Sequence, residues 1–315
     1  MSRRGWAAFA AMSLIWGIPY LFIKVAVDDG VPPVFLALVR IVIAAAVLLA
    51  LAWHAGTLGS VRGHGRWILA FAVAEIAIPF PLISLGEVHV DSSLAAIVIA
   101  AVPLIVALLA VGFAPAERAT GSRLVGLLVG FVGVIALVGL DLTGSAEELL
   151  GALAILGAAV GYAVGPMLLR AKLSGIDARA AMGVSLAVAA VVLTPFAALD
   201  LPDEVPPGSS LLSILVLGLF CTAVAFVVYG MLVSDVGAGR AVVITYVAPV
   251  VALALGVAVL GESPGPGAVV GLLLIVAGSW ISTDGRMPPG LLALAGRRRR
   301  ARDVPPATVH ETAGA

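Results

Sequence analysis

Two ionisable side chains sit where hydropathy places the middle of a membrane. Glu75 lies in RWILAFAVAEIAIPFPLIS, about midway between Arg66 and Gly86. A carboxylate at that depth costs about 3 kcal/mol on insertion scales, so it must face protein, water or a counter-charge. Such a group is a candidate to exchange a proton or to touch a polar substrate; a permanent structural ion pair is the plainer alternative. Arg40, in VFLALVRIVIAAAVLL, is its natural partner. Its planar donors suit a carboxylate, either that of Glu75 or that of a substrate. Lys24 closes the first apolar run one turn before Asp28, where it either snorkels to the interface or gates a path.

Aromatic residues are scarce, at 6% of the chain, so those inside apolar runs are informative. Trp16, Tyr20, Phe80, Tyr162, Tyr229 and Tyr246 are candidates to line a substrate path, because a buried hydroxyl or indole N–H needs a partner. Trp6, Trp53, Trp67 and Trp280 fall near run ends and read as interface anchors. Prolines interrupt the runs in paired places: Pro19 with Pro166, and Pro103 with Pro249. Each frees a carbonyl four residues earlier, which lipid tolerates only where protein or a water cavity satisfies it. Pro79 and Pro81, a turn beyond Glu75, have no counterparts.

Several chemistries are excluded. The chain lacks a G-x-x-x-x-G-K-[ST] phosphate loop, so ATP does not drive it directly. An HExxH motif is also missing, and Gly261-Glu262-Ser263-Pro264-Gly265, which has the letters of GxSxG, reads as the outer hairpin between the last two spans rather than as a nucleophile turn. His54, His64, His89 and His310 show no metal spacing, and Cys221 is the lone cysteine. We expect no catalytic residue, no cofactor, no metal and no enzymatic activity.

The elements that carry these residues follow from composition. Hydrophobic residues make up 62% of the chain and charged ones 11%, about half the usual share for a soluble domain. Ten continuously apolar spans fall near 6–27, 33–53, 66–86, 92–113, 121–140, 150–170, 179–199, 211–232, 239–260 and 265–283. Each approaches the ~20 residues of a membrane-crossing helix, and their unbroken hydropathy excludes a barrel of alternating strands. The first span is retained rather than a signal peptide, being too long and ending in KVAVDDG.

The spans form two copies. WGIPYLFIK at 16–24 aligns with YAVGPMLLR at 162–170, an offset of 146 residues. The same offset joins Ser93-Leu94-Ala95-Ala96 to Gly239-Arg240-Ala241-Val242, and Pro103 to Pro249; after a one-residue slip, Glu117 matches Glu262. Five spans per copy is an odd number, so the second copy must be inverted, as in secondary transporters. The expected fold is therefore all-α and integral to the membrane. It comprises one five-helix repeat over 1–143, a second, inverted repeat over 144–284, and a basic disordered tail over 285–315. All Lys and Arg except Lys24 and Arg40 fall on one side, which places both termini in the cytoplasm.

Small residues recur at helix-packing spacing: Gly157, Gly161 and Gly165, then Gly126 with Gly130 and Gly267 with Gly271. They serve packing within the chain or pairing of two copies, so monomer and homodimer both stand. Arg297 to Arg300 anchor the tail at anionic lipid rather than binding nucleic acid.

Together these features resemble the bacterial EamA-type members of the drug/metabolite transporter superfamily. The carrying residues are Trp16-Gly17 followed by Lys24, Arg40, Pro103, Pro249, and the Leu260-Gly261-Glu262 turn, within about 5–283. The resemblance implies a central cavity between the halves, a small-molecule substrate, lipid surroundings in a bacterial inner (plasma) membrane, and ATP-independent export of amino acids or other metabolites. Proton coupling through Glu75 is an inference from the residue itself. A lipid or sugar-lipid flippase, or a membrane scaffold or sensor that transports nothing, are the other readings.

Overall fold

A computed structural model of the chain describes residues 3–113, 121–141, 145–229 and 244–282. Among the described residues every regular element is helical, and in chain order the helices make the ten expected spans. The first is Arg3–Gly17 and Pro19–Asp28, parted at Ile18; the second is Pro33–His54. The third joins Gly65–Ala72 and Pro79–Glu87 through a π-turn, Val73–Ala77. Ser92–Ile99 and Val102–Phe113 form the fourth, and Ser122–Asp141 the fifth.

In the second repeat the sixth span is Ala146–Leu168 with a π-turn, Leu169–Leu173, and the seventh is Ala178–Ala197. The eighth is Gly208–Gly218, a π-turn at Leu219–Val224, then helix to residue 229. Ile244–Leu255 with the π-turn Gly256–Leu260 is the ninth, and Pro266–Ser282 the tenth. Six spans, Pro33–His54 and Gly65–Glu87 among them, are by themselves long and apolar enough to cross a membrane; four others are shorter apolar helices.

Local sequence explains the starts. Pro19, Pro33, Pro79 and Pro266 open helices, where a missing N–H costs nothing. Ser145 caps the sixth span, its Oγ accepting from Glu148 N at 3.1 Å, the first half of a capping box. Asp177 caps the seventh, accepting from Arg179 N at 3.0 Å and from Thr57 Oγ1 at 3.2 Å. Its hydrogen-bonded Arg179 side chain draws the carboxyl down to about 2.

Charge segregates by end. At one end Arg66 and Lys172 lie 5.0 and 4.9 Å from the Trp67 ring. At the other, Lys24 pairs with Asp28 at 3.0 Å, and Ser209 and Ser210 donate to Asp29 Oδ2 at 2.7 Å each. The two hydroxyls hold Asp29 below the usual carboxylate range. These contacts also fix direction. The third span runs from the arginine-rich end to the acid-rich end, and its repeat mate, the eighth, starts at the acid-rich end. The two repeats are therefore inverted.

The offset of 146 reappears in backbone geometry. Shifted by it, the π-turn Val73–Ala77 falls on the π-turn Leu219–Val224. The paired prolines behave less symmetrically than expected. Pro19 and Pro103 border breaks, at Ile18 and at Ala100 and Ala101, whereas Pro166 and Pro249 sit inside continuous helices. A single missing hydrogen bond can be absorbed where neighbouring helices, water or a local adjustment re-satisfy the freed carbonyl; Pro166 is exposed and Pro249 is buried.

The glycine stripes are used within the chain. A methyl at Gly278 would stand 2.5 Å from Gly130 Cα, and one at Gly133 would stand 2.8 Å from Ile275 N. The fifth and tenth spans thus meet backbone to backbone. Gly278→Ala is expected to destabilise the protein by about 1–3 kcal/mol, read as a lower melting temperature in detergent. An unchanged melting temperature would contradict this packing.

Gly157, Gly161 and Gly165 press the sixth span onto the third: a methyl at Gly161 would stand 2.7 Å from Pro79 Cγ. Outward-facing Phe131, Leu153, Val191 and Leu273 are exposed, as a lipid-facing surface requires. The tail expected over 285–315, the Gly239 to Val242 motif and Glu117 lie outside the described residues.

Candidate functional site

The third-span π-turn follows from its prolines. Pro79 cannot donate to the carbonyl of Glu75, and Pro81 cannot donate to that of Ala77. The chain widens instead, and Ile78 N bonds Val73 O at 3.1 Å, five residues back. Such bulges recur at functional sites, and this one carries Glu75. Although Glu75 as a whole is half-buried, its Oε2 is fully occluded and has no hydrogen-bond partner among the described residues. Gly165 makes the room. A methyl there would collide with Oε2 and stand 2.8 Å from Cδ.

Arg40, on the second span, is 5% exposed. Its Nε and Nη2 each lie 3.4 Å from Thr222 Oγ1, and its Cζ stands 4.2 Å from the centroid of the Phe80 ring. The hydroxyl of Thr222 in turn donates to Leu217 O at 2.8 Å. Thr222 and Cys221 belong to the eighth-span π-turn, the symmetry mate of the one that carries Glu75. Contacts of 3.4 Å are long for hydrogen bonds, and a guanidinium has five N–H donors. No carboxylate stands within 4.0 Å of it among the described residues. The direct Arg40–Glu75 pair considered from sequence is therefore not formed in this conformation. The cation rests on an aromatic face and a hydroxyl, with donors to spare.

Tyr162 lies within electrostatic reach of both Arg40 and Glu75, Tyr229 within reach of Glu75, and Tyr20 within reach of Tyr162 and Arg40. Trp16 packs on Tyr229 with ring centroids 5.0 Å apart. Trp16, Tyr20, Arg40, Glu75, Phe80, Tyr162 and Tyr229 thus share one interior region, drawn from both repeats. Pro103 and Pro249 are buried in the fourth and ninth spans. Gly17, beside Pro19, abuts the ninth: a methyl on it would stand 2.8 Å from Ala248 O. Tyr246 lies on the ninth-span helix, but its side chain is outside the described residues.

Sequence reasoning missed Thr222, whose role depends on tertiary contact with Arg40. It also missed Glu87, which is fully buried at the end of the third span. Lys24 reaches outward along the first span: its Nζ donates to Glu87 O at 3.0 Å and pairs at 3.0 Å with exposed Asp28 one turn further on. A cavity of about 330 Å3 opens at this end, lined by His89, Asp91, Glu148, Ser263 and Pro264. Burial first, and the Glu262 carboxylate second, push Asp91 above the usual carboxylate range.

Glu262 closes the same end. Its Oε1 accepts from Ser92 N at 2.8 Å and its Oε2 from Ser93 N at 3.1 Å. Asp91, at the N-cap position, makes no side-chain cap bond to this helix. A carboxylate from the second repeat therefore caps a helix of the first, where the helix dipole favours it. Gly261, at φ +70°, supplies the left-handed turn that aims it. Glu262→Ala is expected to cost about 1–2 kcal/mol and to raise hydrogen exchange at Ser92 and Ser93. Unchanged exchange there would contradict the cap. Among the described residues, no cluster of three or more His, Cys, Asp or Glu could hold a metal ion.

Comparisons with known proteins match this architecture. The model of the EamA-like transporter family matches residues 3–139 and again 149–283. A protein of Streptantibioticus cattleyicolor named "Probable terminal-alkyne amino-acid exporter" is 31% identical over 88% of this chain and 92% of its own length. One of Escherichia coli named "Probable amino-acid metabolite efflux pump" is 27% identical over 90% of this chain and 96% of its own. A solved crystal structure, 24% identical, superposes with a TM-score of 0.64 over 90% of this chain and 98% of the other, a likeness of fold.

Proposed function

The chain belongs to the EamA-like transporter family, and from that premise we propose that it exports an amino acid or a small amphipathic derivative in exchange for protons. It is a membrane exporter of small metabolites rather than an enzyme, and a multi-pass protein of the inner membrane. The repeats are taken as 1–143 and 144–284, and the acid-rich end faces outward, with both termini in the cytoplasm, because cytoplasmic loops carry the Lys and Arg.

The observation that supports this reading most is a buried guanidinium with no carboxylate within 4.0 Å among the described residues, linked through Tyr162, which lies within electrostatic reach of both, to Glu75, whose Oε2 has no partner there either. Leaving both groups unsatisfied is expensive. A zwitterionic amino acid resolves both at once: its carboxylate takes the free donors of Arg40, and its ammonium displaces the proton from Glu75. Phe80, Tyr20, Tyr162 and the Trp16–Tyr229 pair enclose the apolar side chain. Substrate and proton then compete for Glu75, which is the minimum requirement for antiport. Alternating access follows from the inverted repeats rocking about this midplane site.

The test is comparative release. Cells expressing the protein or an empty vector are fed amino acids in turn, and their media are profiled by mass spectrometry. The expected result is enrichment of at least one compound bearing both a carboxylate and an amine. Identical profiles, with the protein abundant in the membrane, would overturn the reading.

A further inference from the structure

Glu87 is used by nothing described so far, yet it is the most deeply buried carboxyl at the acid-rich end. It is 0% exposed, and neither Oε1 nor Oε2 has a hydrogen-bond partner among the described residues. It closes the third span, twelve residues beyond Glu75 on the same span. The charged and titratable groups within electrostatic reach are Lys24 and Asp28 on the first span, Arg40 on the second, and Glu262 from the turn between the ninth and tenth. Tyr20 on the first span also lies within reach. On the side of the cavity stand Asp91, His89 and Glu148.

Lys24 has an unusual placement in this group. Its ammonium is bonded to the backbone oxygen of Glu87 at 3.0 Å, yet its ion pair is with Asp28. It is 16% exposed. A bare carboxylate in this position would be unsatisfied at both oxygens, at a cost of several kcal/mol. A rotation of the Lys24 side chain, away from Asp28, would provide the counter-charge. His89 and Val90, two and three residues past Glu87 in the chain, line the cavity, and Glu87 itself lies behind that lining at 0% exposure.

We propose that Glu87 is a second proton-carrying site, loaded from the outer cavity and answered by Lys24 when its proton leaves. The proton passes between the cavity and the Glu87 carboxyl. On release, Lys24 exchanges Asp28, its partner one turn along the same helix, for the Glu87 carboxylate, which tightens the bond between the first and third spans. A metal cation is a poorer occupant, since among the described residues no cluster of three or more His, Cys, Asp or Glu could hold one and hard cations take six or more oxygen ligands. This inference rests on the proton-exchange reading but names a different residue, so the two can fail separately.

The test is infrared difference spectroscopy of the purified full-length protein, titrated from acid to alkaline buffer without substrate. Wild type is expected to lose two buried-carboxyl bands across the titration. Glu87→Gln should lack one of them and Glu75→Gln the other. Lys24→Met should keep the Glu87 band and move its midpoint to more alkaline buffer, because a nearby cation favours the carboxylate. Retention of both titrating bands in Glu87→Gln would overturn the proposal. So would an unmoved midpoint in Lys24→Met, which serves as the readout if Glu87→Gln does not fold. If Glu87→Gln removes a band and Glu75→Gln removes none, this inference stands and proton exchange at Glu75 fails.

Discussion

Arg40→Gln is expected to weaken substrate binding by at least about thirty-fold and to leave the protein no less stable. The first number follows from the cost of removing one partner of a buried charge pair, about 2–5 kcal/mol, at 1.4 kcal/mol per tenfold. The second follows from the lack, among the described residues, of a carboxylate within 4.0 Å of the guanidinium. A buried cation resting there on Thr222 Oγ1 at 3.4 Å and the Phe80 ring is a burden on the empty protein. Deleting its charge removes that burden, so the melting temperature without substrate should hold or rise. Arg40→Lys keeps the charge but loses the planar fork, and should fall between the two in affinity. A large loss of stability in Arg40→Gln, with binding unchanged, would make the residue a structural pin.

Glu75→Gln should abolish net export and also weaken binding, because an amide cannot pair with the substrate ammonium. The amide is nearly isosteric with the carboxyl, so packing against Gly165 survives. What disappears is the exchangeable proton, and with it any dependence of substrate affinity on pH. Gly165→Ala attacks the same site without touching the acid. Its methyl would occupy the space of Oε2, so the Glu75 side chain must move. Export should fall along with stability, the latter by about 1–3 kcal/mol. Full export by Glu75→Gln, with the pH profile of wild type, would remove Glu75 from the mechanism.

Much of this was legible in the sequence because lipid leaves few options. Continuous hydropathy gave the spans, and the match of WGIPYLFIK to YAVGPMLLR exposed the repeat that the two π-turns now show in backbone geometry. Glu75 and Arg40 stood out because charge in an apolar run is costly wherever it lies. Pairwise geometry was a different matter. Hydropathy reports depth, not azimuth, so it could not tell that Arg40 leans on Thr222 and Phe80 rather than on Glu75. Pro79 and Pro81 signalled a disturbed backbone, but not that the disturbance would be a π-turn. Glu87 lies at a span's edge, where a shift of one turn separates a solvated loop acid from a buried one. The Glu262 cap joins residues 170 apart, and no local pattern announces such a contact.

The central claim is that proton and substrate exchange at one site, and it is tested most directly in proteoliposomes loaded with the released compound. With a pH gradient imposed in either direction, wild type should move the compound opposite to the protons, and Glu75→Gln should move none against its gradient. Wild-type flux that ignores the pH gradient, or mutant flux that follows it, would contradict the account.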